Sequence, residues 1–211
     1  MVFSEELARV LPDDLPHRTR LISLASRHLE LVEETNRVMN LTRIVSAAEA
    51  AVKHVYDSVR PWRHFQNARS VLDAGTGAGF PGIPLAIILP EVQFVLAESV
   101  QKRARFVEAS VEILALENVI VEAVRAEDLL RSRRFDCITA RAVAPLIKAL
   151  PLFAEAINKG SAVLLYKGPD VEAEIVDAWA ESRKRRISVR IVERYALPDG
   201  MGERAIVEFR R

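Results

Sequence analysis

Apolar residues recur along this chain with two different periods. Over residues 15–38 they fall at helical spacing, with Leu21, Leu24, Ala25, Leu29, Leu31 and Val32 gathered towards one side. Asn40-Leu41-Thr42 breaks the pattern, and a second helix is predicted over residues 46–59, with Ser46 as N-cap and Glu49 at the capping-box position. From residue 70 the pattern changes to short apolar runs. Residues 70–72, 92–97, 119–124, 135–140 and 161–166 read as buried strands, and residues 99–116 as a helix between two of them. Residues 187–195 and 205–209 read as two further strands, joined by a turn through Pro198-Asp199-Gly200 and Gly202. Strands alternating with helices imply a parallel sheet with right-handed crossovers. The terminal hairpin adds an antiparallel edge, so an α/β fold with a mixed seven-stranded sheet is expected. Residues 1–69 would form a helical cap on the sheet unit of residues 70–211, the two making one compact body.

Composition narrows the class. At 211 residues, half of them hydrophobic, the chain can bury an ample core. The apolar run at residues 83–89 is far too short to span a membrane, and no signal peptide is recognisable. A single cysteine, Cys137, excludes a disulfide scaffold, and the four scattered histidines show no metal-ligand spacing. A cytoplasmic monomer without a metal is the expectation. The net charge of +1 is no global nucleic-acid signature, but 24 of the 30 basic residues are Arg, the residue suited to bidentate phosphate contacts. Clusters at Lys102-Arg103-Arg105, Arg131-Arg133-Arg134 and Arg183-Lys184-Arg185-Arg186 are each explained as simply by a solvated face. Composition permits an RNA substrate without demonstrating one.

The chemistry concentrates in residues 71–82. A strand runs into Asp73, Gly75, Gly77 and Gly79 follow at alternate positions, and Phe80-Pro81-Gly82 leads into an apolar helix. Glycines let such a turn take positive φ and let a ligand touch bare backbone, while the helix N-terminus offers free N–H groups. Gly77-Ala78-Gly79-Phe80-Pro81-Gly82 also fits the dinucleotide fingerprint. Pro81 and Pro84, however, start the helix only near Gly82 and leave the earlier glycines in the loop. The Asp73 carboxylate ahead of the turn would repel a pyrophosphate and suits a cationic ligand. S-adenosylmethionine, with its sulfonium and ammonium, is favoured over NAD(P), which the spacing alone leaves open. Glu98 ends the second strand, where an acid can accept ribose hydroxyls. Asp73, Glu98, Ala126, Glu127, Arg141 and Lys167 all fall at or just after strand ends, where ligands bind in open parallel sheets.

Ordered motifs extend this site. They are Asn40-Leu41-Thr42, His54-Val55-Tyr56-Asp57-Ser58, the turn from Asp73 to Leu85, Glu98-Ser99 with Lys102-Arg103, and Asn118-Val119. Arg125-Ala126-Glu127, Thr139 to Ala144 and Tyr166-Lys167-Gly168 complete the set. Over residues 36–169 the chain resembles the bacterial glucose-inhibited-division protein B family, the 16S ribosomal RNA guanine-N7 methyltransferases. Tyr56, where Leu or Phe is expected, and Ala97 before Glu98 depart mildly from the pattern. The resemblance implies a Rossmann-like class I methyltransferase with a helical N-terminal extension. It implies a methyl transfer from S-adenosylmethionine to N7 of one guanine in the small ribosomal subunit. Gly75 and Phe80 would contact the cofactor, Gly77 and Gly79 would complete the turn, and Ala126 and Glu127 would hold the adenine. Asp73 would take the ammonium side and Glu98 the ribose. Arg141 would line the site beside the transferred methyl or the incoming nucleotide and, with Lys167, act by positioning, since N7 carries no proton and needs no general base. Asn40, Thr42, His54, Asp57 and Lys167 would form a mouth facing RNA. A small-molecule or protein methyltransferase would share the cofactor site, and a non-enzymatic RNA-binding factor would keep only the basic clusters.

Overall fold

The computed structural model describes residues 2–44 and 46–211. Helices α1 (Val2–Val10) and α2 (Arg18–Met39) lead into α3 (Ala47–Ala50), a π-helical segment Ala51–Tyr56 and α4 (Asp57–Val59). Then follow β1 (Ser70–Ala74), α5 (Gly82–Ile88), β2 (Gln93–Ala97), α6 (Gln101–Ile113), β3 (Val119–Glu122) and α7 (Ala126–Ser132). The chain continues through β4 (Cys137–Arg141), α8 (Leu146–Asn158), β5 (Ala162–Lys167), α9 (Val171–Arg185), β6 (Ser188–Ala196) and β7 (Glu203–Arg210).

The sheet order is β3-β2-β1-β4-β5-β7-β6. The first five strands are parallel, and β7 runs antiparallel between β5 and β6. This is the mixed seven-stranded sheet expected from the hydrophobic pattern. The chain leaves β1 towards β2 and β3, then returns to place β4 on the other side of β1. A crevice opens at the carboxyl ends of strands where the order reverses in this way. Covered on both faces, β1, β4 and β5 are buried over nearly their whole lengths, which is why they read as unbroken apolar runs.

Helices of the first 69 residues share one core with the sheet. Leu7, Leu21 and Leu29 belong to the same buried cluster as Ile83, Leu85 and Phe94. On the other face Phe153, Leu150 and Leu129 cover Leu72, Ile138 and Val163. Three local readings are refined. No element is assigned from sequence to the first 14 residues, yet α1 buries Leu7 and Val10 there. Helix α2 begins at Arg18 rather than at residue 15, because Pro16 precedes His17, whose φ is 52°. Ser46 Oγ accepts from Glu49 N at 3.2 Å, so the N-cap holds, but the Glu49 carboxylate pairs forward with Lys53. The helix it starts then widens into the π-helical segment, a distortion that recurs at functional sites.

Candidate active site

The turn after β1 is built on backbone conformations that side chains rarely adopt. Gly75, Gly77 and Gly79 have φ of 79°, 64° and 96°. The N–H groups of Gly75 and Thr76 donate to the carbonyl of Ala97 at 2.9 and 3.0 Å, tying the turn to the end of β2. Helix α5 starts at Gly82, so the three earlier glycines lie in the loop, as Pro81 and Pro84 require. Gly82 packs so closely that a Cβ would strike Leu96 and come within 2.8 Å of Asp73 Oδ2.

Asp73 is placed differently from the expectation of an acid facing the ligand. It is fully buried beneath the turn. Oδ2 accepts from Thr76 Oγ1 at 2.7 Å and from Gly82 N at 2.9 Å, so it staples the turn to the start of α5. Oδ1 has no partner among the described residues. Burial pushes the carboxyl up to about 6. A cationic group at the turn would compensate that uncovered charge. Glu98 is also buried; its two oxygens accept from Gly77 N at 3.1 Å and Val100 N at 2.8 Å. Each keeps a second lone pair for a ribose hydroxyl. Beside the turn lies a slot of about 290 Å³ whose walls include Gly75, Ala97, Ala126, Glu127 and Val143. Ala126 and Glu127, expected at the adenine end, both line this slot. The orphaned oxygen, the bare-backbone turn and the acid at the end of β2 fit S-adenosylmethionine.

A larger cavity of about 690 Å³ opens on the other side of Val143, which lines both. Arg141 ends β4 here. Its Nη1 donates to the Lys53 carbonyl at 2.6 Å and lies 3.4 Å from Asp57 Oδ2, while Nη2 lies 3.4 Å from His54 Nδ1. A guanidinium only donates, so His54 Nδ1 accepts. Its proton is then on Nε2, 3.1 Å from Thr42 Oγ1. Burial first, then the Arg141 charge, holds the imidazole down at about 3, so it is neutral. Asp57 is buried and receives the Tyr195 hydroxyl at 2.9 Å, with Arg204 Nε 3.6 Å away.

Several residues expected at an outward RNA-facing mouth therefore have inward roles. His54 and Asp57 line the cavity but are buried, holding Arg141 from behind. Thr42 accepts from His54 and from Ile44 N, and its own N–H donates to Asn36 Oδ1 at 2.9 Å, so it fastens the loop. Asn40 is the left-handed C-cap of α2, with φ 43°. Lys167 is tethered to the Ala144 carbonyl at 2.6 Å and to Glu174 at 2.7 Å. The Phe80 ring stacks on His54 at 4.5 Å with Arg141 over it at 5.6 Å, and it lines neither the slot nor the larger cavity. Behind it His28 of α2 lies 2.9 Å from the Ala78 carbonyl, reaching from the cap into the glycine turn. Burial pushes His28 down to about 4.

No role for His28, Val143, Glu174, Tyr195 or Arg204 follows from sequence. They come from α2, the β4–α8 loop, α9, β6 and β7, and only folding brings them together. Among the described residues no group of three or more His, Cys, Asp or Glu side chains could hold a metal, and no helix is long and apolar enough to cross a membrane.

Residues 21–203 match the family model described as rRNA small subunit methyltransferase G. The chain is 59% identical over 210 residues, the full length of both, to a ribosomal RNA small subunit methyltransferase G of Solibacter usitatus. It is 37% identical to the protein of that name from Carboxydothermus hydrogenoformans, over 90% of this chain and 83% of the relative. Among solved structures, an O-methyltransferase from Bacillus cereus in complex with SAH superposes with a TM-score of 0.59 at 20% identity, covering 88% of this chain and 91% of the other. At that identity it shows the shared fold.

Proposed function

Because the chain belongs to the rRNA small subunit methyltransferase G family, it is an S-adenosylmethionine-dependent methyltransferase acting on N7 of a guanine in 16S ribosomal RNA, and we propose that it does so by positioning alone. The observation that carries this reading is the pair of cavities meeting at Val143, one walled by the glycine turn and the other by Arg141 and Lys167. S-adenosylmethionine, when bound, supplies an electrophilic methyl on a sulfonium. Asp73 and the turn would hold its amino-acid end, Glu98 the ribose, and Ala126 with Glu127 the adenine. Val143 would mark the boundary across which the two reactants meet.

Guanine N7 has a lone pair and no proton, so no side chain need remove one. The site agrees with that chemistry. His54 is neutral with both ring nitrogens engaged, and Asp57 is committed to Arg141 and Tyr195. Aligning two reactants can supply about 7–11 kcal/mol of a barrier without acid–base help. Arg141, held by the Lys53 carbonyl and Asp57, would stand beside the incoming nucleotide. N7 lies on the major-groove edge, which side chains cannot reach in an A-form helix. The target is therefore a nucleotide in an open or flipped-out region, such as a structured ribosomal loop, rather than in a plain duplex.

The test is tritiated methyl transfer from S-adenosylmethionine to small subunits from cells lacking the gene. Label recovered as 7-methylguanine from 16S RNA supports the proposal; label in another base or fraction refutes it.

A further inference from the structure

Guanine differs from the other purine at its six-membered ring. It presents an O6 acceptor beside an N1–H donor, whereas adenine presents an amino donor beside an N1 acceptor. A site that selects guanine needs a donor next to an acceptor, both uncommitted. Two carboxylates line the larger cavity, Asp57 and Glu174. Asp57 is spent: Oδ1 receives the Tyr195 hydroxyl at 2.9 Å and faces Arg204, and Oδ2 faces Arg141. In Glu174, Oε2 takes both local donors, Lys167 Nζ at 2.7 Å and Leu146 N at 2.8 Å. Oε1 is left as an acceptor without a partner among the described residues, on a side chain that lines the cavity and is 27% exposed. Lys167 Nζ has three protons, and two are engaged, by the Ala144 carbonyl and by Glu174. The third is a donor beside the Glu174 acceptor.

Resting on the guanine-N7 reading above, we propose that Glu174 and Lys167 form the base-reading pair, with Lys167 donating to O6 and Glu174 Oε1 accepting N1–H. Their place in the sheet sets them across β4 from the glycine turn. Along the carboxyl edge the order is Glu98 after β2, the glycine turn after β1, Val143 after β4 and Lys167 at the end of β5, with α9 beyond. Neighbouring strands stand about 4.8 Å apart, so Lys167 is about 10 Å from the turn. In guanine N7 and O6 share one edge and N1–H adjoins O6 at roughly a right angle to N7, so a purine over the end of β4 offers N7 to the methyl with the O6 and N1–H side turned along the cavity wall that carries Lys167 and Glu174. Adenine in that pose meets a donor with its amino group and an acceptor with its N1 lone pair. Glu174 acts here by touching the substrate, and its bond to Leu146 N fixes it on the first turn of α8.

The experiment compares small subunits reconstituted with guanine or with 2-aminopurine, which lacks O6 and N1–H but keeps N7, at the methylated position. Wild-type enzyme should favour guanine by on the order of 10⁴-fold in kcat/KM, as a site built to hydrogen-bond a substrate group does. In Glu174→Ala that ratio should fall at least about 10-fold, with S-adenosylmethionine affinity unchanged within about 3-fold. Glu174→Gln keeps the size and an oxygen for Leu146 N while turning a donor towards the base, and should lower the ratio as far. Equal losses on guanine and 2-aminopurine in both variants would make Glu174 a merely structural support and overturn the proposal. Absence of wild-type label on guanine-bearing subunits would instead overturn the function beneath it, and this inference with it.

Discussion

Asp73 joins the turn to the first residue of α5 through one carboxylate, and on the reading proposed above its other oxygen would face the cofactor. Its folded-state value of about 6 lies above the ordinary 3.8 because it is buried with Oδ1 unpartnered. A group raised on folding contributes stability that is present at low pH and lost as pH rises from about 4 to about 6. Binding of a cationic cofactor reverses the sign, because it favours the carboxylate. S-adenosylmethionine affinity should therefore fall as pH drops below about 6 and level off above it, with a proton released on binding near pH 5.5. Calorimetric titration in two buffers of different ionisation enthalpy measures that proton directly; equal heats would contradict it. Asp73→Asn should flatten the pH dependence and lose about 1.5–3 kcal/mol of cofactor binding, the size of a charged hydrogen bond. His54 supplies the complementary test. It is neutral throughout the physiological range, with its value near 3. Single-turnover rates should therefore be flat from about pH 6.5 to about 8.5, and a limb in that window that vanished in His54→Gln would restore a general base.

At the scale of elements, the distinction between close approach and backbone conformation can be measured. Gly82 opens α5 against Leu96 and Asp73 with no room for a Cβ. A methyl group on Gly77 would meet nothing within 4 Å, and only the φ of 64° there resists substitution. Gly82→Ala should cost about 1–3 kcal/mol by overpacking and displace the Asp73 staple, lowering both urea midpoint and cofactor affinity. Gly77→Ala should cost about 1–2 kcal/mol, the penalty of the left-handed region, and leave the Asp73 bonds to Thr76 and Gly82 in place. Urea denaturation with and without S-adenosylmethionine separates the two. The π-helical segment Ala51–Tyr56 is the other element with a purpose: it carries Lys53, whose carbonyl holds Arg141, and His54, which backs it.

For the whole molecule the question is whether the helical cap is separable. Its Leu21 and Leu29 sit in the same buried cluster as Ile83 and Phe94, and His28 reaches the turn carbonyl of Ala78. Arg60 and His64 both reach Glu193 on β6, at 2.6 and 3.0 Å. Such sharing implies one cooperative unit. The two tryptophans report on its two ends, Trp62 beside α4 and Trp179 on α9. Single-tryptophan variants should give coincident urea transitions, and Leu29→Ala should shift both by about 2–5 kcal/mol. Two separated midpoints would show that the cap folds by itself.

The residues themselves determined the seven strands, the hairpin, the glycine turn and the start of α5 at Gly82, because hydrophobic period, proline and glycine act over a few neighbouring residues. They also determined the acids and cations at strand ends, since a parallel sheet delivers every such end to one edge. What each side chain faces was decided only by tertiary contacts. Asp73 turns inward because Thr76 and Gly82 bring donors to it; His54 and Asp57 are buried because α2 and the β6–β7 hairpin close over them. Lys167 is tethered because α9 returns Glu174 to its side, seven residues later in the chain. Partners such as Tyr195 with Asp57, 138 positions apart, have no local period to announce them. They exist because burying a polar group without a partner is costly, and in a packed core the fold alone chooses which distant group meets that cost.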